Sequence, residues 1–160
     1  MSTLRLIHKA AVPLLGLFIA LPGRPAAQSI KALVDSQNYV FQVQTVQPLR
    51  GPVRNMTTSI YTLKITRDRI VSDLPYFGRA YVAPIDPTKD ALQFTLNSFD
   101  YAVTPGRKEG WNVVIKPKGN GDIEKLELNI SSAGYTSLQV LSSNRDPISF
   151  NGIITPPDRR

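Results

Sequence analysis

Hydrophobic and polar positions alternate along most of this chain, and strict alternation marks a strand with one buried face. In Tyr39-Val-Phe-Gln-Val-Gln-Thr-Val46, the residues Tyr39, Phe41 and Val43 share one side and face away from Gln42 and Gln44. The same rhythm aligns Tyr61, Leu63 and Ile65 within 59–66, then Trp111, Val113 and Ile115, then Leu126, Leu128 and Ile130. Tyr135 to Leu141 adds another strand, and Ile148, Phe150 and Ile154 close the series. One stretch keeps helical spacing instead. Ile30, Leu33 and Val34 fall on one helix face behind Ser29, a good N-cap, so 29–36 reads as a short helix covering one side of a sheet.

Turn formers separate these runs. A loop is expected over 48–56, a tight turn at Arg67-Asp68, a connection over 84–90, and turns over 105–109, 131–134 and 142–147. Gly119-Asn-Gly121 marks a hairpin loop within 116–122. The longest strand, 92–103, carries a phase slip. Leu92, Phe94 and Leu96 share one parity while Phe99, Tyr101 and Val103 share the other, which predicts a β-bulge at Asn97-Ser98 and a bend. Together the elements predict a mainly β fold, α+β at most. Its expected form is an antiparallel meander of about eight or nine strands making a curved sheet or barrel, with one short N-terminal helix. A β-sandwich is the alternative.

The segment Ile70 to Pro84 breaks the rhythm. Asp73, Pro75, Tyr76, Phe77, Gly78, Arg79 and Tyr81 crowd aromatics, opposite charges, a proline and a glycine into nine positions. Pro75 fixes its own φ and Gly78 reaches conformations closed to other residues, so this is a corner between strands with aromatics folded over it. Extended structure should resume over 79–82.

Composition narrows the chemistry. A length of 160 residues with 42% hydrophobic and 19% charged content suits one globular domain. Arg5 and Lys9 precede an apolar run from Ala10 to Leu21, and Ala26-Ala27 precede Gln28: the layout of a cleaved signal peptide over 1–27, leaving a single domain over 28–160. The run is too short and too interrupted, by Pro13 and Gly16, to span a membrane. Arg5, Lys9 and Arg24, with no acid among residues 1–27, carry three of the seven net positive charges, so the remainder holds only +4. That gives nucleic-acid binding little support.

The chain has no cysteine, which excludes disulfides, thiolate metal sites and a lipidated N-terminal cysteine. Its one histidine, His8, lies in the signal. The expected mature protein therefore lacks the usual general base, the Ser-His-Asp triad and most catalytic zinc arrangements. No enzyme activity, cofactor or metal is expected.

Several motifs together carry a resemblance. Leu74-Pro-Tyr-Phe-Gly-Arg-Ala-Tyr81, Phe99-Asp-Tyr101, Trp111 with its alternating strand, Gly134-Tyr135 and the run from Asn144 to Gly152 resemble the DUF4251 family, exported Bacteroidota proteins without an assigned biochemical function. The resemblance spans roughly 29–154. It implies an exported protein, periplasmic or secreted, and the missing cysteine makes it a non-lipidated one. It supplies no catalytic residues.

The candidate ligand-binding residues are Tyr76, Phe77, Arg79 and Tyr81: an arginine for an anionic group beside an apolar mouth. The competing reading makes Asp73 and Arg79 a salt bridge or backbone ligands, with the aromatics as core lids. Arg50 and Arg54 read as a solvated basic loop, and Arg145-Asp146 as a turn in which Asp146 bonds backbone. Asp100 with Glu109 or Asp122 is a weak carboxylate pair for glycoside hydrolysis. Asn55-Met-Thr57 and Asn129-Ile-Ser131 match the glycosylation sequon, a pattern common by chance. Two functions stay open: a non-enzymatic binding module for an apolar or amphipathic small ligand, and a structural or protein-interaction factor of the periplasm or outer membrane. The sequence does not set the oligomeric state.

Overall fold

The structure is a computed structural model, and it describes residues 29–56, 58, 60–81, 92–119 and 121–157. The expected signal peptide, the connection over 84–90 and residue 82 of the expected extended stretch lie outside these residues.

Among the described residues, helix α1 (Ile30–Ser36) leads into ten strands: β1 (Tyr39–Pro48), β2 (Arg54–Asn55), β3 (Thr62–Ile65), β4 (Ile70–Leu74), β5 (Leu92–Leu96), β6 (Phe99–Pro105), β7 (Trp111–Pro117), β8 (Ile123–Ile130), β9 (Tyr135–Ser142) and β10 (Ile148–Thr155). All pair antiparallel, in the order β5-β4-β3-β1-β10-β9-β8-β7-β6, with β2 appended to β1. Except for β1 beside β10, neighbours in this order follow one another along the chain, apart from the short β2. The fold is the expected meander, curved into a nearly closed barrel.

The two ends of that order are β5 and β6, which are joined by Asn97 and Ser98 alone. β5 pairs with β4 (Leu96 with Ile70), while β6 pairs with β7 (Phe99 with Pro117). The phase slip is therefore not a bulge inside one ladder, as the sequence predicts. It is the point where the chain leaves one sheet edge and begins the other, so a two-residue step links the edges of the nearly closed barrel.

A true bulge lies elsewhere. The β1–β10 register shifts between Val43 and Thr45, and inward parity changes from Tyr39, Phe41 and Val43 to Val46 and Pro48. Gly152 sits opposite, and a Cβ there would run into the Gln42 carbonyl oxygen. β1 also runs to Pro48, and β2 forms within the segment expected to be loop. Proline ends the strand because it has no N–H for the ladder. β3 is shorter than expected, beginning at Thr62.

The inward side chains form one apolar core. Tyr39, Phe41, Val46, Leu63, Ile70, Val113, Ile115, Leu126, Leu138 and Phe150 are all fully buried. Helix α1, capped by Ser29 Oγ accepting from the Ala32 N–H at 3.2 Å, adds Leu33 and Val34 to this core. Beside it, the hydroxyls of Tyr39 and Tyr101 lie 3.0 Å apart. Burial raises the pKa of both tyrosines, Tyr39 by far the more. Outward positions of β7 to β10 are mostly polar, for example Asn112, Asn129, Gln139 and Asn151. This apolar inside and polar outside is the reverse of a membrane barrel. Among the described residues, no helix is long and apolar enough to cross a membrane.

Candidate functional site

After Leu74 the chain leaves β4 and folds the corner 75–81 against the turn between β9 and β10. An isolated antiparallel bridge joins Ala80 to Arg145. Two backbone bonds hold it: Tyr81 N–H to Asn144 O at 2.8 Å, and Asp146 N–H to Arg79 O at 3.0 Å. The Tyr76 hydroxyl closes the loop, reaching the carbonyls of Arg79 (2.8 Å) and Asp146 (3.1 Å). Gly78 is required because the Tyr76 ring and hydroxyl occupy the space a Cβ would take. The corner is thus a strap from β4 to the opposite side of the barrel.

The four candidates take different positions on this strap. Tyr76 is half-buried with its hydroxyl committed to backbone, and burial, then the charge of Asp146, raises its pKa. Phe77 is half-buried beneath the Arg54 guanidinium, 4.5 Å from the ring centroid. Arg79 is exposed, and Tyr81 is 68% exposed with its hydroxyl bonded to Asp146 Oδ1. That bond leads the rise in the Tyr81 pKa, while the nearby charges of Arg50 and Arg79 lower it. The structure therefore brings Phe77, Arg79 and Tyr81 onto one rim, with Tyr76 as its brace.

Asp73 and Arg79 do not meet. The Asp73 carboxylate accepts from Gln93 Nε2 at 3.0 Å, on the outward face of the β4–β5 pair. Alternation explains this: Asp73 points away from the core between Ser72 and Leu74, whereas Arg79 lies beyond the turn.

Sequence reasoning missed two arginines. Arg50 and Arg54 are exposed, as a solvated loop expects, yet both also approach the corner, because β2 pairs back onto β1 and carries Arg54 toward Phe77. Leu49 and Val53, 59% and 56% exposed, flank them in the same loop. No sequence signal links positions 50–54 to 77–81; only the sheet order does.

The remaining charged candidates serve the frame. Arg145 is buried at 9% exposure, ion-pairs with Asp122 at 3.4 Å and lies 5.9 Å from the Tyr76 ring centroid. Asp146 accepts the Tyr81 hydroxyl, a distant partner rather than local backbone. Asp122 also accepts from Asn144 Nδ2 at 3.0 Å, and its carbonyl takes the Ser142 hydroxyl at 2.7 Å. Asp100 pairs with Lys118 across an exposed surface. Asp100 and Asp122 thus each hold a basic partner. Among the described residues, no three His, Cys, Asp or Glu side chains group as metal ligands.

No curated protein matches this chain in sequence. Among solved structures, the fold is similar to the crystal structure of a DUF4251 family protein from Bacteroides eggerthii, with a TM-score of 0.56 and 14% identity over 79% of this chain and 84% of that one. The family model for DUF4251, a domain of unknown function, matches residues 24–154. On that match over most of its length, the chain belongs to the DUF4251 family.

Proposed function

We propose that this protein is an exported, non-enzymatic binding module that takes an amphipathic anion on the rim of its barrel, at the aromatic corner. The observation that carries the reading is the gathering of Arg50, Arg54 and Arg79 around Phe77 and Tyr81. Two features support it. Phe41, Phe150 and their neighbours are fully buried in the interior, which favours a place outside the barrel for an apolar ligand. The rim joins cationic groups to exposed apolar side chains, Tyr81, Leu49 and Val53, which suits a molecule with an acid head and an apolar body. Export is supported by the basic-then-apolar pattern of residues 5–27, and a non-enzymatic role by the lack of cysteine and of any histidine but His8.

Isothermal titration with decanoate tests the reading, with decyltrimethylammonium as the cation of the same tail. Decanoate should bind, the cation should not, and Arg54→Gln with Arg79→Gln should weaken decanoate at least tenfold. Equal binding of the two amphiphiles, or none of either, would remove the anion site.

The alternative, a protein-interaction factor of the envelope, is favoured by the same exposed Leu49, Val53 and Tyr81, since aromatic and apolar side chains with arginines also make protein hot spots. Size-exclusion and light scattering with periplasmic extract would separate it from the small-ligand reading.

A further inference from the structure

On the outside of the barrel, away from the corner, one cross-strand row is entirely polar and uncharged. Following the register, Thr104 pairs with Asn112, Asn112 with Asn129, Asn129 with Ser137, Ser137 with Asn151, and Asn151 with Thr45. These residues lie on six successive strands from β6 to β1, and strand spacing makes the row roughly 24 Å long. Its central part borders an open groove with a cavity volume of about 660 Å3, also edged by Gln44, Arg107 and Tyr135.

Asparagine is among the residues least suited to strands, because its amide competes for backbone partners. Three of them on one row, beside the ends of β7 and β8 and within β10, run against local preference, and the sheet makes little use of their side chains. Two long side-chain bonds link the row internally, Asn151 Nδ2 to Thr45 Oγ1 at 3.4 Å and the Thr104 hydroxyl to the Asn112 carbonyl at 3.5 Å. Asn129 and Asn151 are exposed. The Asn112 amide oxygen lies beneath Gly106, in space a larger residue would fill. At the groove's edge, the Ser131 hydroxyl is buried with no hydrogen-bond partner among the described residues. Buried hydroxyls are nearly always paired, so an unpaired one beside the groove stands out.

We infer that this groove binds a neutral oligosaccharide. Each amide offers a donor and an acceptor side by side, the match for adjacent hydroxyls on a sugar ring. The row repeats at the strand spacing, roughly 4.8 Å, close to the length of one hexose unit in an extended chain. Tyr135, 66% exposed at the edge, supplies an aromatic face for the C–H side of a ring. No carboxylate or lysine stands in the row, so nothing in it selects a charged ligand.

The test is titration of the intact protein with cellohexaose, chitohexaose and maltohexaose, repeated for Asn129→Val/Asn151→Val and for Tyr81→Ala. At least one hexasaccharide should bind. The valine pair, favoured in strands, should weaken it tenfold or more while its melting temperature holds or rises. Tyr81→Ala should leave binding unchanged, keeping this site separate from the corner. A parent protein that binds none of the three, binding that survives the valine pair, or a valine pair that melts several degrees lower would overturn the inference.

Discussion

Leu96 and Phe99 are three residues apart in the chain yet belong to opposite edges of the sheet, Leu96 paired with Ile70 of β4 and Phe99 with Pro117 of β7. The two-residue step between them sets the parity of everything in β6. Deleting Ser98 should turn Phe99 and Tyr101 outward and Asp100 inward. The loss should be about 3 kcal/mol or more, from two aromatic faces leaving the core. A lower urea midpoint with broadened Tyr101 contacts by NMR would show it; unchanged stability would mean that the step is a passive linker.

Gly152 has a different constraint, the carbonyl of Gln42 rather than its own φ. Gly152→Ala should destabilise by about 3 kcal/mol, at the upper end of overpacking, because the obstacle is backbone held in the β1–β10 ladder. The check is the denaturant midpoint, with Gly121→Ala as a comparison where a Cβ meets nothing.

The Tyr39–Tyr101 pair predicts an alkaline limit. Burial raises the Tyr39 pKa well above the ordinary tyrosine value, so the folded state prefers the neutral phenol. The contribution is intact below the unfolded pKa, about 10, and is lost as pH rises above it toward the folded value. Stability of the parent should fall steeply above about pH 10, and Tyr39→Phe should flatten that fall. A tyrosinate absorbance titration followed alongside circular dichroism would register both.

Tyr76 braces the strap through two carbonyls. Tyr76→Phe should cost about 1 kcal/mol, because the part-buried Asp146 carbonyl loses the hydroxyl while the Arg79 carbonyl keeps the Asp146 N–H. Hydrogen exchange should speed at the Tyr81 and Asp146 amides while the β7–β8 ladder stays protected. Unchanged protection at the Tyr81 and Asp146 amides would show that the ring alone holds the corner.

Much of the barrel was legible because its inward residues keep period two: Val113, Ile115, Leu126, Leu128 and Phe150 fall where alternation puts them. The helix was legible from Ser29 and the Ile30, Leu33, Val34 spacing. The β1 bulge was missed because Val43 and Val46 differ in parity across Gln44-Thr45, a weaker signal than the run of aromatics after Ser98. At the corner, composition marked the residues but not their partners. Asp146 lies 65 residues from Tyr81, and Arg54 lies 23 from Phe77, distances that only strand order resolves. The polar row was invisible for the same reason: its asparagines are spaced irregularly in sequence and become neighbours only through register.

The pairing of β1 with β10 joins the first strand to the last. A chain growing from its N-terminus holds Tyr39 to Pro48 with no permanent neighbour on that side until Thr155 has been made. The contact is about as non-local as a domain of this size permits, and such topologies assemble slowly. Early segments can form β3–β4 or β7–β8 hairpins, but the cylinder cannot shut around them. A polypeptide built this way stays open along β1 until Ile148 to Thr155 exist, and locks only when β1 and β10 are present together.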